Sequence, residues 1–120
     1  MLKVQIKTKL IADNNEMASD AIGSFQEEKE ILTFQDQDAK ITILLKDNIL
    51  IRETPEAILS YKFSLTTPSR FEVFVKDMQK SGSLELMTEQ LSYEENRYEV
   101  VYQLVGNEFK HHYIVEWRII

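Results

Sequence analysis

Apolar and polar residues alternate one for one along much of this chain. Leu2, Val4, Ile6 and Leu10 share one parity, while Lys3, Gln5, Lys7 and Lys9 occupy the positions around them. Near the other end, Phe109, His111, Tyr113, Val115, Trp117 and Ile119 fall on one side of the alternation. Glu108, Lys110, His112, Glu116 and Arg118 fall on the other. Successive side chains of a β-strand point to opposite faces, so a period of two marks a strand with one buried face; a helical period would mix the two sets.

Further strands follow between these ends, with short breaks. Residues 16–26 are weakly patterned, and Gly23 among them is expected to mark a bulge. Ile31 to Gln35 follows the polar Glu27-Glu28-Lys29-Glu30. Ile41 to Lys46 and Ile49 to Arg52 flank Asp47-Asn48, residue types that tolerate the left-handed conformation of a two-residue hairpin turn. Ala57 to Leu65 sets Leu59, Tyr61, Phe63 and Leu65 on one face. Thr54-Pro55 before it has the form of a helix cap and first position, but the later alternation favours strand. Phe71, Val73 and Val75 make the next strand. Leu84 and Leu86 then have the opposite parity to Leu91 and Tyr93, which calls for one long strand with a single-residue bulge. Tyr98, Val100, Tyr102 and Leu104 face inward, and Gly106-Asn107 forms the last hairpin turn.

Nine or ten closely spaced strands with short connections imply antiparallel neighbours. The expected fold is all-β, an antiparallel meander closing into a barrel of about 8–10 strands. A sandwich also fits the strand spacing, but closure removes exposed edges and suits the long one-sided strands at both ends.

Composition narrows the picture. At 120 residues, 43% hydrophobic and 28% charged, the chain suits one globular domain spanning residues 1–120. A net charge of −6 and a pI near 4.9 speak against a phosphate-backbone partner, so nucleic acid is not expected. Lys3, Lys7 and Lys9 form a small basic stripe, read as a solvated outer face. With no cysteine, disulfides and thiolate chemistry are out. No stretch reaches the roughly 18 apolar residues of a membrane span, nor does the N-terminal segment have a signal peptide's apolar run; the expected location is cytoplasmic.

The second half of the chain resembles the YwiB-like family of Gram-positive bacteria, a calycin-like β-barrel family of unknown function. The likeness is carried by Asp47-Asn48-Ile49-Leu50-Ile51-Arg52, Tyr61-Lys62-Phe63, the Thr67-Pro68 turn and Leu84-Glu85-Leu86-Met87-Thr88. Tyr98-Glu99-Val100-Val101-Tyr102-Gln103-Leu104 and the last strand complete it. It covers roughly residues 40–120, and the N-terminal third by strand order alone. A small residue and a glycine often follow the arginine in that family, whereas Glu53 and Thr54 stand here. A role needing a glycine turn is therefore not carried over. The resemblance implies a lipocalin-like barrel, and no activity or cofactor.

Candidate chemistry is sparse. There is no Gly-x-Ser-x-Gly elbow, no phosphate-binding glycine loop and no His-Glu-x-x-His pair, so a non-enzymatic barrel is preferred over an enzyme. His111 and His112 are the only histidines and point to opposite faces, so they cannot share one metal within a regular strand; Glu108 and Glu116 share the outer face of His112, but no metal site is assigned. Asp36-Gln37-Asp38 lacks the glycine and distal glutamate of a calcium loop and is read as a solvated turn. Tyr61, Tyr98, Tyr102, Tyr113 and Trp117 are expected to line the interior, either as packed core or as walls for a ligand. The ligand-binding candidates are Tyr61, Tyr102, Tyr113 and Trp117 as walls, with Arg52 and His111 as polar anchors. The favoured function is binding of a small apolar or amphipathic ligand in the interior or mouth, without a cofactor. The alternative is an interaction or homodimeric module with a filled core, docking through Phe74, Val101, Val105 and Ile114 on the outside.

Overall fold

The structure is a computed structural model describing residues 1–120. Ten strands run in order: β1 (Leu2–Ala12), β2 (Asn15–Gln26), β3 (Ile31–Asp36), β4 (Ala39–Leu44), β5 (Ile49–Glu53), β6 (Ala57–Lys62), β7 (Ser69–Val75), β8 (Lys80–Glu94), β9 (Arg97–Leu104) and β10 (His111–Ile119). Each pairs antiparallel with its sequence neighbours, and β10 returns to β1 with Val4 opposite Ile119 and Ala12 opposite His111. The sheet is thus a closed ten-stranded up-and-down barrel, as the alternation and short connections predict. Connections of only two to six residues leave no room for crossovers.

The ladders are unequal around the barrel. β1 pairs with β2 along its whole length, from Leu2 opposite Phe25 to Ala12 opposite Asn15. β2 pairs with β3 only from Gly23 opposite Phe34 to Gln26 opposite Ile31. Asn15–Ile22 therefore has a ladder partner on one side alone. β8 is shared in a similar way, its first half paired with β7 and its second with β9.

The bulge expected in β8 is present. Thr88 lies opposite Tyr102 and Gln90 opposite Val101, leaving Glu89 as the extra residue. One added residue turns the later side chains over, so Leu86 on one side of it and Leu91 and Tyr93 on the other all reach the core. Gly23, by contrast, marks no bulge, since its register with β1 and β3 is unbroken. It marks a close approach: a Cβ there would sit 2.3 Å from the Thr33 carbonyl oxygen and 2.7 Å from Ile6 Cδ1.

Several boundaries differ from the sequence reading. The β4–β5 connection holds Leu45 to Asn48 rather than Asp47-Asn48 alone, because the ladder ends at Leu44 opposite Ile49 and the Leu45 N–H donates instead to the Glu30 carbonyl at 3.1 Å; Asn48 does take the left-handed conformation, at φ 57°. Thr54 opens a turn, not a helix, its hydroxyl accepting from the backbone N–H of Glu56 and Ala57. β6 ends at Lys62, so Phe63 is buried but Leu65 is exposed. Leu84 is also exposed, on the part of β8 that lacks a β9 partner. Phe109 precedes β10 and lies exposed in the β9–β10 loop.

Inward-facing residues fill the end of the barrel bearing the β2–β3, β4–β5 and β8–β9 turns. Val4, Leu32, Ile43, Leu45, Tyr98, Val115 and Trp117 are buried there, with Phe25 and Tyr93 against them. Tyr98 donates its hydroxyl to Asn48 Oδ1 and Tyr93 donates to Glu30. Side chains fill the interior of this half, and only open clefts beside Phe25 remain at its rim. No helix in the structure is long and apolar enough to cross a membrane.

Candidate ligand cavity at one mouth of the barrel

The opposite half is hollow. A cavity of about 540 Å³ lies at the end where β1, β3, β5 and β9 finish. Its walls follow from parity. Thr8 and Leu10 continue the inward row of Val4 and Ile6 on β1, and Asp36 continues Leu32 and Phe34 on β3. Arg52 continues Leu50 on β5, and Tyr113 precedes Val115 on β10. Tyr61, Phe63 and Tyr102 close the far wall, with ring centroids 5.2 Å apart for Phe63–Tyr102 and 5.8 Å for Tyr61–Tyr102. Met17 and Ser19 of β2 complete the near side.

Two kinds of tyrosine emerge. Tyr93 and Tyr98, at the packed end, spend their hydroxyls on side-chain acceptors. Tyr61, Tyr102 and Tyr113 line the cavity, and their hydroxyls bond to no protein group. Burial raises the pKa of all three phenols above the ordinary value. At Tyr113 the Asp36 carboxylate adds to that rise and the Arg52 guanidinium opposes it; Arg52 opposes it at Tyr61 as well. The phenols stay neutral at physiological pH and can both donate and accept. Thr8 and Ser19 satisfy each other across β1–β2, with hydroxyls 2.6 Å apart.

Of the six residues expected to bind a ligand, the structure gathers Arg52, Tyr61, Tyr102 and Tyr113 on one cavity. His111 and Trp117 lie outside it. His111 stacks on the far face of Tyr102, centroids 5.2 Å apart and planes within 14°, and so backs a wall residue. Trp117 belongs to the packed end beside Phe25 and Tyr93, and Tyr98 is likewise core. The Nδ1 of His111 and the Nε1 of Trp117 are buried without hydrogen-bond partners. His112 faces outward, its Nε2 2.5 Å from a Glu99 oxygen, while Arg97 holds the other Glu99 oxygen at 2.8 Å. No cluster of three or more histidine, aspartate or glutamate side chains forms a metal-sized group.

Sequence reasoning missed Asp36, Thr8 and Phe63. Asp36 was visible in principle: it has the parity of Leu32 and Phe34, and only its place in a polar run suggests a solvated turn. The turn is Gln37-Asp38, and Asp36 ends the strand before it.

No family model matches the chain, and neither does any curated protein. Among solved structures, the chain is similar to the crystal structure of the YwiB protein from Bacillus subtilis, with a TM-score of 0.54 and 12% identity. The match covers 99% of this chain and 91% of that one. At that identity the likeness speaks for the fold, and it extends over the N-terminal third that the sequence motifs cover only loosely: the chain has the barrel fold of YwiB.

Proposed function

We propose that the protein binds a small, partly apolar ligand inside this mouth, without cofactor or catalysis. The observation that carries the reading is the cavity itself. Of the main clefts on the barrel this one is the most enclosed, and it has aromatic walls and a few convergent polar groups.

Native mass spectrometry of freshly purified protein, compared with its denatured mass, tests the reading together with binding of the probe anilinonaphthalene sulfonate. The Leu10→Trp variant places a larger side chain in the mouth. The expected result is a small mass or probe lost on denaturation and weakened at least about tenfold by Leu10→Trp. Binding that Leu10→Trp leaves unchanged would place the ligand elsewhere and remove the proposal.

A second reading, assembly through the outer face, is favoured by one observation. Leu84, Val105 and Phe109 are exposed around a shallow cleft at the β9–β10 loop. Of the outer residues named from the sequence, Phe74 is exposed like Val105, while Val101 and Ile114 are half-buried on neighbouring strands. Sedimentation at several concentrations checks it: a dimer weakened by Phe109→Ser supports assembly, and a strict monomer counts against it.

A further inference from the structure

Arg52 and Asp36 share the cavity wall, yet neither makes an ion pair or a side-chain hydrogen bond within the protein. Both are half-buried at the ends of their strands. Glu16, the other charged lining residue, is occupied by Lys9 at 3.0 Å. Neither has an ion-pair partner within the protein, so each keeps its charged group free for a ligand. A simple anion would answer Arg52 and face Asp36 as a like charge; a simple cation would do the reverse. A ligand carrying one of each answers both.

A second observation is independent of the charges. Glu16 to Ser19 of β2 form part of the same wall, and this stretch belongs to the edge of β2 that has no β3 partner. Such an edge offers backbone N–H and C=O groups in strand spacing, the arrangement that binds extended peptides by adding a strand. We infer that the cavity takes a short peptide with free termini and an apolar side chain. It crosses the mouth, its ammonium at Asp36 beside the end of the open β2 edge, its carboxylate at Arg52 and its side chain among Tyr61, Tyr102 and Tyr113. The inference rests on the cavity being a ligand site and specifies what that site selects.

The test is calorimetric titration of the full chain with four probes. They are L-leucyl-L-phenylalanine, its N-acetyl form, its C-terminal amide and 3-phenylpropionate. The free dipeptide should bind best, and loss of either terminal charge should weaken binding at least about tenfold. Asp36→Asn should abolish discrimination against the N-acetyl form, and Arg52→Gln discrimination against the amide. Unchanged melting temperatures would show that both variants fold. If 3-phenylpropionate or the N-acetyl dipeptide binds as tightly as the free dipeptide, the peptide inference is overturned and the cavity reading stands. If no probe binds at millimolar concentration, the peptide inference is overturned, and the cavity reading is decided by the Leu10→Trp comparison.

Discussion

At the scale of single residues, the tyrosines are the most readable reporters of the structure. All five have raised pKa values: Tyr61, Tyr98, Tyr102 and Tyr113 through burial, and Tyr93, pushed up to about 12, through burial and its bond to Glu30. Absorbance of the native protein at pH 10.5 should therefore show little tyrosinate, with the full signal of five phenols appearing on unfolding. A substantial native fraction titrating near the ordinary pKa of about 10 would show that the rings are not enclosed as described. Gly23 supplies a second check. Gly23→Ala drives a methyl into the Thr33 carbonyl and Ile6, and should cost about 2–3 kcal/mol, the upper range for overpacking. Gly82→Ala meets open space and should leave the melting temperature within about 2 °C. Much of the candidate site was legible at this scale, because parity alone places Arg52, Tyr61, Tyr102 and Tyr113 inward. Parity could not separate them from Trp117 and Tyr98, which share the same inward rows. Height along the barrel axis decides which inward residue meets the cavity, and it depends on a register that no single strand contains.

At the scale of elements, the bulge in β8 reconciles two stretches of opposite parity on one strand. Glu89 is spare as a side chain, its only ion pair being an exposed one with Lys110 at 2.8 Å, so Glu89→Ala should change stability by less than about 1 kcal/mol. Deleting Glu89 is a different matter. It would heal the bulge, leaving Leu86, Thr88, Leu91 and Tyr93 on one parity and all still inward, so the deletion variant should fold with its ladder to β9 unbroken. Loss of a cooperative melt in that variant would refute the reading of Glu89 as the one spare residue. The turns make a milder prediction. Gln79 holds φ at 49° in the β7–β8 turn, a conformation that costs a non-glycine residue, and Gln79→Gly should stabilise by about 0.5 kcal/mol in urea unfolding. The bulge could be found from the sequence because it leaves a phase slip between Leu86 and Leu91. The six-residue β9–β10 loop could not, because the parity of Phe109 continues that of His111 although the strand has not yet begun.

At the scale of the whole molecule, ionisation bounds the pH range of stability on both sides. Glu30 is held below the usual carboxylate range by Tyr93 and Lys46, Glu53 by Lys76, and Glu99 by His112 and Arg97. Depressed folded pKa values give stability that is present above the unfolded value near 4.3 and lost as pH falls through the folded ones. The phenols act in the opposite sense, keeping their contribution below about pH 10 and losing it as pH rises toward their folded values. As far as these groups set it, the melting temperature should hold level between about pH 5 and 10 and fall on either flank. A decline already under way at pH 9 would contradict this assignment. The closure of the barrel also governs how it can form. β1 waits for β10, roughly a hundred residues further along the chain, before its second edge is covered, and contacts so distant form late. Until then that edge is open to strands of other molecules, and the three lysines exposed on the outer face of β1, Lys3, Lys7 and Lys9, keep them away. Replacing all three with threonine should barely move the melting temperature yet lower the yield of refolding from urea as protein concentration rises. Those lysines then serve the folding chain more than the finished barrel.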